Sequence, residues 1–225
     1  GMERFFPADK IIMTGNPVRQ NLLENQTSQE EARQSFGLEP DKKTVLIVGG
    51  SLGARTVNES VLAHLDDIRK SNVQFIWQTG KYYSQSISEA LEKSEAVPNL
   101  KVMDFIGCMD YAYAAADLVV SRAGASSISE LCLLGKPCVL VPSPNVAEDH
   151  QTQNALALSS KDAAIFVADK EAKEKLVQTA LETVTNDERL LSLSENVKKL
   201  AFLNSSDIIA EEVYKLAVEY KKRNN

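Results

Sequence analysis

The chain changes character along its length, and the changes show in how its apolar residues are spaced. From Thr44 to Val167, short apolar runs alternate with helix-length segments. The runs are Thr44–Val48, Val73–Gln78, Leu100–Met103, Leu118–Val120, Cys138–Val141 and Ala164–Val167. They are rich in β-branched residues and apolar at successive positions rather than at every second one. Strands read that way when helices cover both faces of their sheet. Between them, helical spacing predicts helices over Ala54–Ile68, Tyr82–Lys93, Tyr111–Ala115, Ser127–Leu134 and Asp149–Ser159. The alternation predicts an α/β fold, a doubly wound parallel sheet of about six strands.

The flanks read differently. In residues 1–40, "KIIMTG" is a short strand candidate ending at Gly15, and Pro17 starts a short helix in "NPVRQNLL". "TSQEEARQSFGL" reads as a helix, with Thr27 and Glu30 at capping-box spacing and Gly37 as its stop. Residues 169–225 read as helices only, over Lys170–Thr185, Asp187–Leu200 and Ser206–Lys222. The last carries a stripe of Ile208, Ile209, Val213, Leu216, Ala217 and Tyr220 that needs a surface to pack on. The predicted organisation is a connecting segment (1–40), a core (41–168) and C-terminal helices (169–225).

In an open parallel sheet, ligands bind outside the carboxyl ends of the strands, so the loops there are the candidate chemistry. Gly49-Gly50-Ser51-Leu52-Gly53 follows the first strand and runs straight into a helix. Glycines admit a ligand close to the backbone, and a helix N-terminus offers free N–H groups and a positive dipole end. The spacing matches neither the dinucleotide fingerprint nor the P-loop. It favours a diphosphate over a bare tight turn. "DFIGCM" follows the third strand, where the backbone of Ile106 is placed to read a base edge; a plain βα loop is the alternative.

After the fourth strand, Ser121-Arg122-Ala123-Gly124-Ala125 leads into a second helix that begins with Ser126 or Ser127. Ser127 and Glu130 have capping-box spacing, so Glu130 either caps its own helix or offers its carboxylate to ribose hydroxyls. Spacing leaves both open. After the fifth strand, "PSPN" precedes Glu148, Asp149, His150 and Gln151, with Asp149 the natural N-cap and His150 and Gln151 suited to sugar hydroxyls.

Composition narrows the class. A net charge of −6 with scattered basic residues argues against a nucleic-acid partner. No apolar run reaches the roughly 18 residues of a membrane span, and no signal peptide is visible. Cys108, Cys132 and Cys138 lack metal or disulfide spacing, which fits a reducing, cytoplasmic setting, with Cys132 and Cys138 as buried small hydrophobes. His150 has only His64 as a histidine partner, and no D-x-D occurs, so neither a metal nor another cofactor is signalled.

"GNPVR", "VGGSLGA", "SRAGASSISE", "GKPCVLVP" and "EDHQTQNALAL" stand in order and in register. Together they resemble the C-terminal half of the MurG family, the peptidoglycan N-acetylglucosaminyltransferases with the GT-B fold. The resemblance covers the chain from about Ile11 onward. It implies a Rossmann-like domain that binds UDP-N-acetylglucosamine. The lipid I acceptor, the catalytic base and a peripheral membrane contact at the cytoplasmic face would belong to a missing N-terminal domain. The start of the chain, with Gly1 ahead of Met2 as a scar of tag removal, reads as a cut near the interdomain connection. No catalytic residue is then expected in this part.

The resemblance also implies roles. Arg19 and the loop of Gly50, Ser51, Leu52 and Gly53 would contact the diphosphate. The Ile106 backbone would meet uracil. Arg122, Gly124, Ala125 and Ser126 would line the donor site, Glu130 would take the ribose hydroxyls, and His150 and Gln151 the sugar hydroxyls. Leu52 and His150 stand where many family members have Gln, so what Leu52 contacts is unassigned and hydroxyl recognition at His150 is expected to differ in detail. A glycolipid synthase, a 2-epimerase of the same fold or the binding module of a split transferase are the alternatives.

Overall fold

The computed structural model describes residues 6–50, 53–146 and 149–223. Six strands form one sheet: β1 Thr44–Val48, β2 Gln74–Gln78, β3 Leu100–Met103, β4 Leu118–Ser121, β5 Cys138–Leu140 and β6 Ile165–Phe166. All neighbours pair in parallel, in the order β3-β2-β1-β4-β5-β6. That is the doubly wound order, whose direction of winding reverses between β1 and β4. The predicted α/β class, strand number and parallel sense agree with it.

Side-chain alternation explains why the strands are apolar throughout. Val45 and Ile47 of β1 join Phe75 and Trp77 of β2 on one face. Leu46 and Ile76 point to the other, beside Val119 and Leu140. The first face is covered by α3 Arg55–Ala63, α4 Leu65–Lys70 and α9 Asp169–Val184. The second lies under α2 Gln29–Ser35, α6 Met109–Ala115, α7 Ala125–Leu134 and α8 His150–Ser159. Every side chain of β2, β4 and β5, and all but Val48 of β1, is therefore buried, and a polar side chain among them needs a partner within the protein.

Several local expectations are corrected. "KIIMTG" forms no strand. The capping box of α2 is one residue later than predicted: Ser28 accepts from the Glu31 N–H, and Glu31 accepts in return from the Ser28 N–H. The helix predicted over Ala54–Ile68 is two, because His64 (φ −123°, ψ 27°) leaves helical geometry. Its N–H reaches back only to the Val61 carbonyl. The stripe Val57, Val61, Leu65 and Ile68 stays buried across the break, so apolar spacing carries no sign of it. The remaining α-helices among the described residues are α1 Gln20–Glu24, α5 Ser84–Glu92, α10 Asp187–Lys198 and α11 Ser205–Arg223, and a 3-10 turn spans Ala8–Lys10. On α11, Val213, Leu216 and Tyr220 are exposed. Among the described residues, no helix is long and apolar enough to cross a membrane.

Asp117 fastens the connecting segment to the sheet. Its Oδ2 accepts from the Thr44 N–H at 2.7 Å and from Arg33 Nη2 at 2.6 Å. Arg33 is itself buried and also donates to the Ala115 carbonyl. One carboxylate thus joins α2, the start of β1 and the turn between α6 and β4. Removing one partner of such a buried pair strands the other. Asp117→Ala is expected to lower unfolding free energy by about 3–5 kcal/mol in a denaturant titration. A loss within error would show that the pair is dispensable.

Candidate functional site

The reversal point between β1 and β4 is where the two glycine-bearing loops emerge, side by side. A cavity of about 710 Å³ opens there. Gly49, Gly50 and Gly53 line it from the β1 loop, Arg122 from the β4 loop, and Ser143 and Gln151 from the β5 loop and α8. Ser51 and Leu52 lie outside the described residues.

The β1 loop is shaped for close approach. Gly53 has φ +84°, and a Cβ there would fall 2.2 Å from the Thr79 carbonyl oxygen. Gly50 has φ +87° with open space where a Cβ would stand, so the backbone faces the cavity. The N-cap of α3 is Ala54, which has no side-chain oxygen to occupy the first-turn N–H groups. Those donors and the positive end of the helix suit an anion.

Glu130 does not cap α7. The helix begins at Ala125 with Gly124 as its N-cap, earlier than the predicted Ser127, and no side-chain cap bond forms. Glu130 Oε1 instead accepts from Arg19 Nε at 3.2 Å and Nη2 at 3.0 Å. Its Oε2 accepts from the Tyr113 hydroxyl at 2.8 Å. Arg19, expected at the diphosphate, thus stands at the carboxylate expected to read the ribose. Gly124, Ala125 and Ser126 form the start of α7, with Ala125 and Ser126 exposed.

Ile106 is buried in the same apolar cluster as Tyr113, Ala123 and Leu131. Its N–H donates to Gln78 Oε1 at 3.0 Å, and Gln78 Nε2 donates to the Gly50 carbonyl at 3.0 Å. One buried amide therefore ties the candidate base loop to the candidate phosphate loop. With the Ile106 N–H held inside the protein, any base contact through that backbone falls to its carbonyl.

Arg122 lines the cavity, but its Nη1 is engaged within the protein. It donates to the carbonyls of Val141 and Pro142 and to the Asp169 carboxylate. Thr56 of α3 donates to the other Asp169 oxygen at 2.9 Å. The four segments around the cavity are thereby clasped together. Gln151 borders the cavity, with Oε1 accepting from the Ser143 N–H at 2.9 Å. His150 opens α8 and is exposed. Asp149 takes the N-cap position at φ +50°, yet its carboxylate accepts from the Thr152 hydroxyl rather than from a backbone N–H. Cys132 and Cys138 are buried as expected, and burial pushes the Cys132 thiol up to about 11. Among the described residues, no group of three or more His, Cys, Asp or Glu is placed to hold a metal ion.

Sequence reasoning missed Gln78, Tyr113, Thr56 and Asp169. Gln78 had one signal, a polar residue closing an apolar strand. The others owe their places to contacts between distant segments.

Residues 44–211 match the family model described as the glycosyltransferase family 28 C-terminal domain. The chain belongs to that family. A Bacteroides fragilis protein is 63% identical over 218 residues, which is 96% of this chain and 57% of the relative. It is named UDP-N-acetylglucosamine--N-acetylmuramyl-(pentapeptide) pyrophosphoryl-undecaprenol N-acetylglucosamine transferase. A Phocaeicola vulgatus protein of the same name is 60% identical, over all of this chain and 60% of its own length. The family 28 chain thus spans about three-fifths of the curated relatives it matches. The crystal structure of Acinetobacter baumannii MurG superposes with a TM-score of 0.71 at 27% identity, over 88% of this chain and 55% of that one. A UDP-GlcNAc 2-epimerase from Neisseria meningitidis, bound to UDP-GlcNAc, reaches 0.67 at 18% identity over 95% of this chain and 58% of its own. At that identity it shares the fold alone.

The Gln78 bridge makes a testable demand on this family 28 domain. Gln78→Leu leaves the buried Ile106 N–H without an acceptor, and a stranded donor costs about 1–3 kcal/mol. Denaturant unfolding is expected to show that loss, and amide exchange at Ile106 and Gly53 is expected to quicken. Unchanged exchange at both would mean that the two loops are held independently.

Proposed function

We propose that this chain is the donor-binding part of an inverting glycosyltransferase that moves N-acetylglucosamine from UDP-N-acetylglucosamine to lipid I, forming lipid II. The observation that carries the reading is Glu130. Its carboxylate is released from any capping duty, and it stands on α7, the helix that follows the β4 loop whose Arg122 shares the cavity with the β1 loop and the first turn of α3. The names of the relatives support the substrate pair.

In this reading uracil meets the β3 loop at Ile106, and the ribose hydroxyls meet Glu130. The diphosphate meets the β1 loop and the first turn of α3, with Arg19 moving across from Glu130. The sugar reaches Gln151 and His150. A hydroxyl of N-acetylmuramic acid attacks C1 of the sugar, the C1–oxygen bond to UDP breaks, and the anomeric centre inverts. Negative charge grows on the departing diphosphate as that bond lengthens. Preorganised N–H groups aimed at that charge lower the barrier more than they stabilise the bound donor. The base that takes the hydroxyl proton, the lipid I contacts and a peripheral attachment at the cytoplasmic face are assigned to protein outside this chain.

Calorimetry tests the donor half directly. The chain is expected to release heat with UDP and with UDP-N-acetylglucosamine. Glu130→Ala is expected to weaken UDP about 10- to 100-fold, as loss of charge-assisted hydrogen bonds does. Its melting point is expected to fall by about 2–10 °C with unfolding still cooperative, since no cap is lost but the buried Tyr113 hydroxyl loses its acceptor. No heat from the unaltered chain with either ligand would sink the reading.

A further inference from the structure

We propose that Tyr113 is a positioning residue for nucleotide recognition, its hydroxyl setting the Glu130 carboxylate in the orientation that tells ribose from 2′-deoxyribose. The inference rests on the reading that Glu130 takes the ribose hydroxyls.

A carboxylate can accept along about four lone-pair directions in all. Arg19 sends two N–H groups to Oε1, and Tyr113 sends one O–H to Oε2. Oε1 is therefore full and Oε2 is half free. A vicinal diol that donates two hydrogen bonds needs one direction more than the free molecule leaves open. One of the two holds must loosen.

Burial decides which. The Arg19 side chain is 52% exposed and sits on an irregular segment just before α1. Water can replace what it gives up. Tyr113 is 5% exposed and packed into the apolar cluster with Ile106, Ala123 and Leu131. Withdrawing its hydroxyl would leave a buried donor unpaired and disturb the core around it. Arg19 is thus the exchangeable partner and Tyr113 the fixed one. Once Arg19 lets go, the Tyr113 hydrogen bond fixes the plane of a carboxylate whose side chain is only 13% exposed.

The phenol is suited to that task. Burial, then the neighbouring Glu130 charge, hold it protonated far above the ordinary tyrosine range. It therefore stays protonated, and a donor, at neutral pH and well above it. Its Cα also lies on α6, whose N-cap Cys108 closes the loop carrying Ile106. The same short helix therefore sets both the base loop and the anchor of the ribose acceptor.

The test compares two ligands rather than two activities. UDP and 2′-deoxy-UDP are titrated calorimetrically into the unaltered chain, Tyr113→Phe, Glu130→Gln and the double variant. The unaltered chain is expected to prefer UDP by about tenfold or more, the scale of one charged hydrogen bond. Tyr113→Phe is expected to narrow that preference about three- to tenfold, by weakening UDP while leaving 2′-deoxy-UDP nearly unchanged. In the Glu130→Gln background, the same change is expected to narrow nothing further, because both residues act through one carboxylate. The preference is a quotient of two affinities on one variant, so a partly unfolded sample does not alter it. A preference that vanishes in Glu130→Gln but persists in Tyr113→Phe overturns the role of Tyr113 alone. An unaltered chain that binds UDP without preferring it to the 2′-deoxy form overturns the ribose reading of Glu130, and this inference with it.

Discussion

Parallel pairing is the constraint from which the rest of this molecule follows. A sheet whose six strands all run one way must return each connection across a face, and every strand then releases its chain at the same edge. Helices on both faces demand strands that are apolar on both sides, as Val45, Leu46 and Ile47 are. The polar residues that remain to these strands are pushed to their ends. Gln78 and Ser121 stand there, the last residues of β2 and β4, at the edge where the glycine loops emerge. The burial that stabilises the sheet therefore also gathers the chemistry.

The site is held by polar contacts between segments far apart in sequence. Gln78 joins the β1 and β3 loops, Asp169 joins α9 to α3 and to the β4 loop, and Glu130 joins α7 to α6 and to the connecting segment. Few of these groups face open water, so each bond counts for more than its surface equivalent. The result is a cavity whose walls are fixed to one another while its floor is bare backbone at Gly50.

What could be read from the sequence follows the same division. Strand positions, parallel sense and the loops that carry the site are local properties: β-branched runs, glycines and helix starts each leave a mark within a few residues. Thr44–Val48 and Leu100–Met103 were legible to the residue. Glu130 was not, because Ser127-x-x-Glu130 has capping spacing, and only the start of α7 at Ala125 decides that the motif is idle. Tyr113 and Arg19 lie 17 and 111 residues from the glutamate they hold, and no local spacing encodes such a meeting. The break at His64 escaped for a different reason: the buried stripe is continuous on both sides of it. The resemblance implies the ribose for Glu130 and the phosphates for Arg19, and the structure pairs these two side chains with each other.

The strand order has a further consequence, at the margins of the sheet. β3 and β6 are its two outer strands, and they are four and two residues long. Lys101 sits within β3. An outer strand recruits foreign chains through a row of unpaired N–H and C=O groups, and short rows bearing a charge recruit poorly. A sheet this apolar would polymerise readily if its borders were long and flat. By tapering to two residues on one side and carrying a lysine on the other, it stays finite, and it can lie beside another domain or another copy of itself without the two sheets fusing.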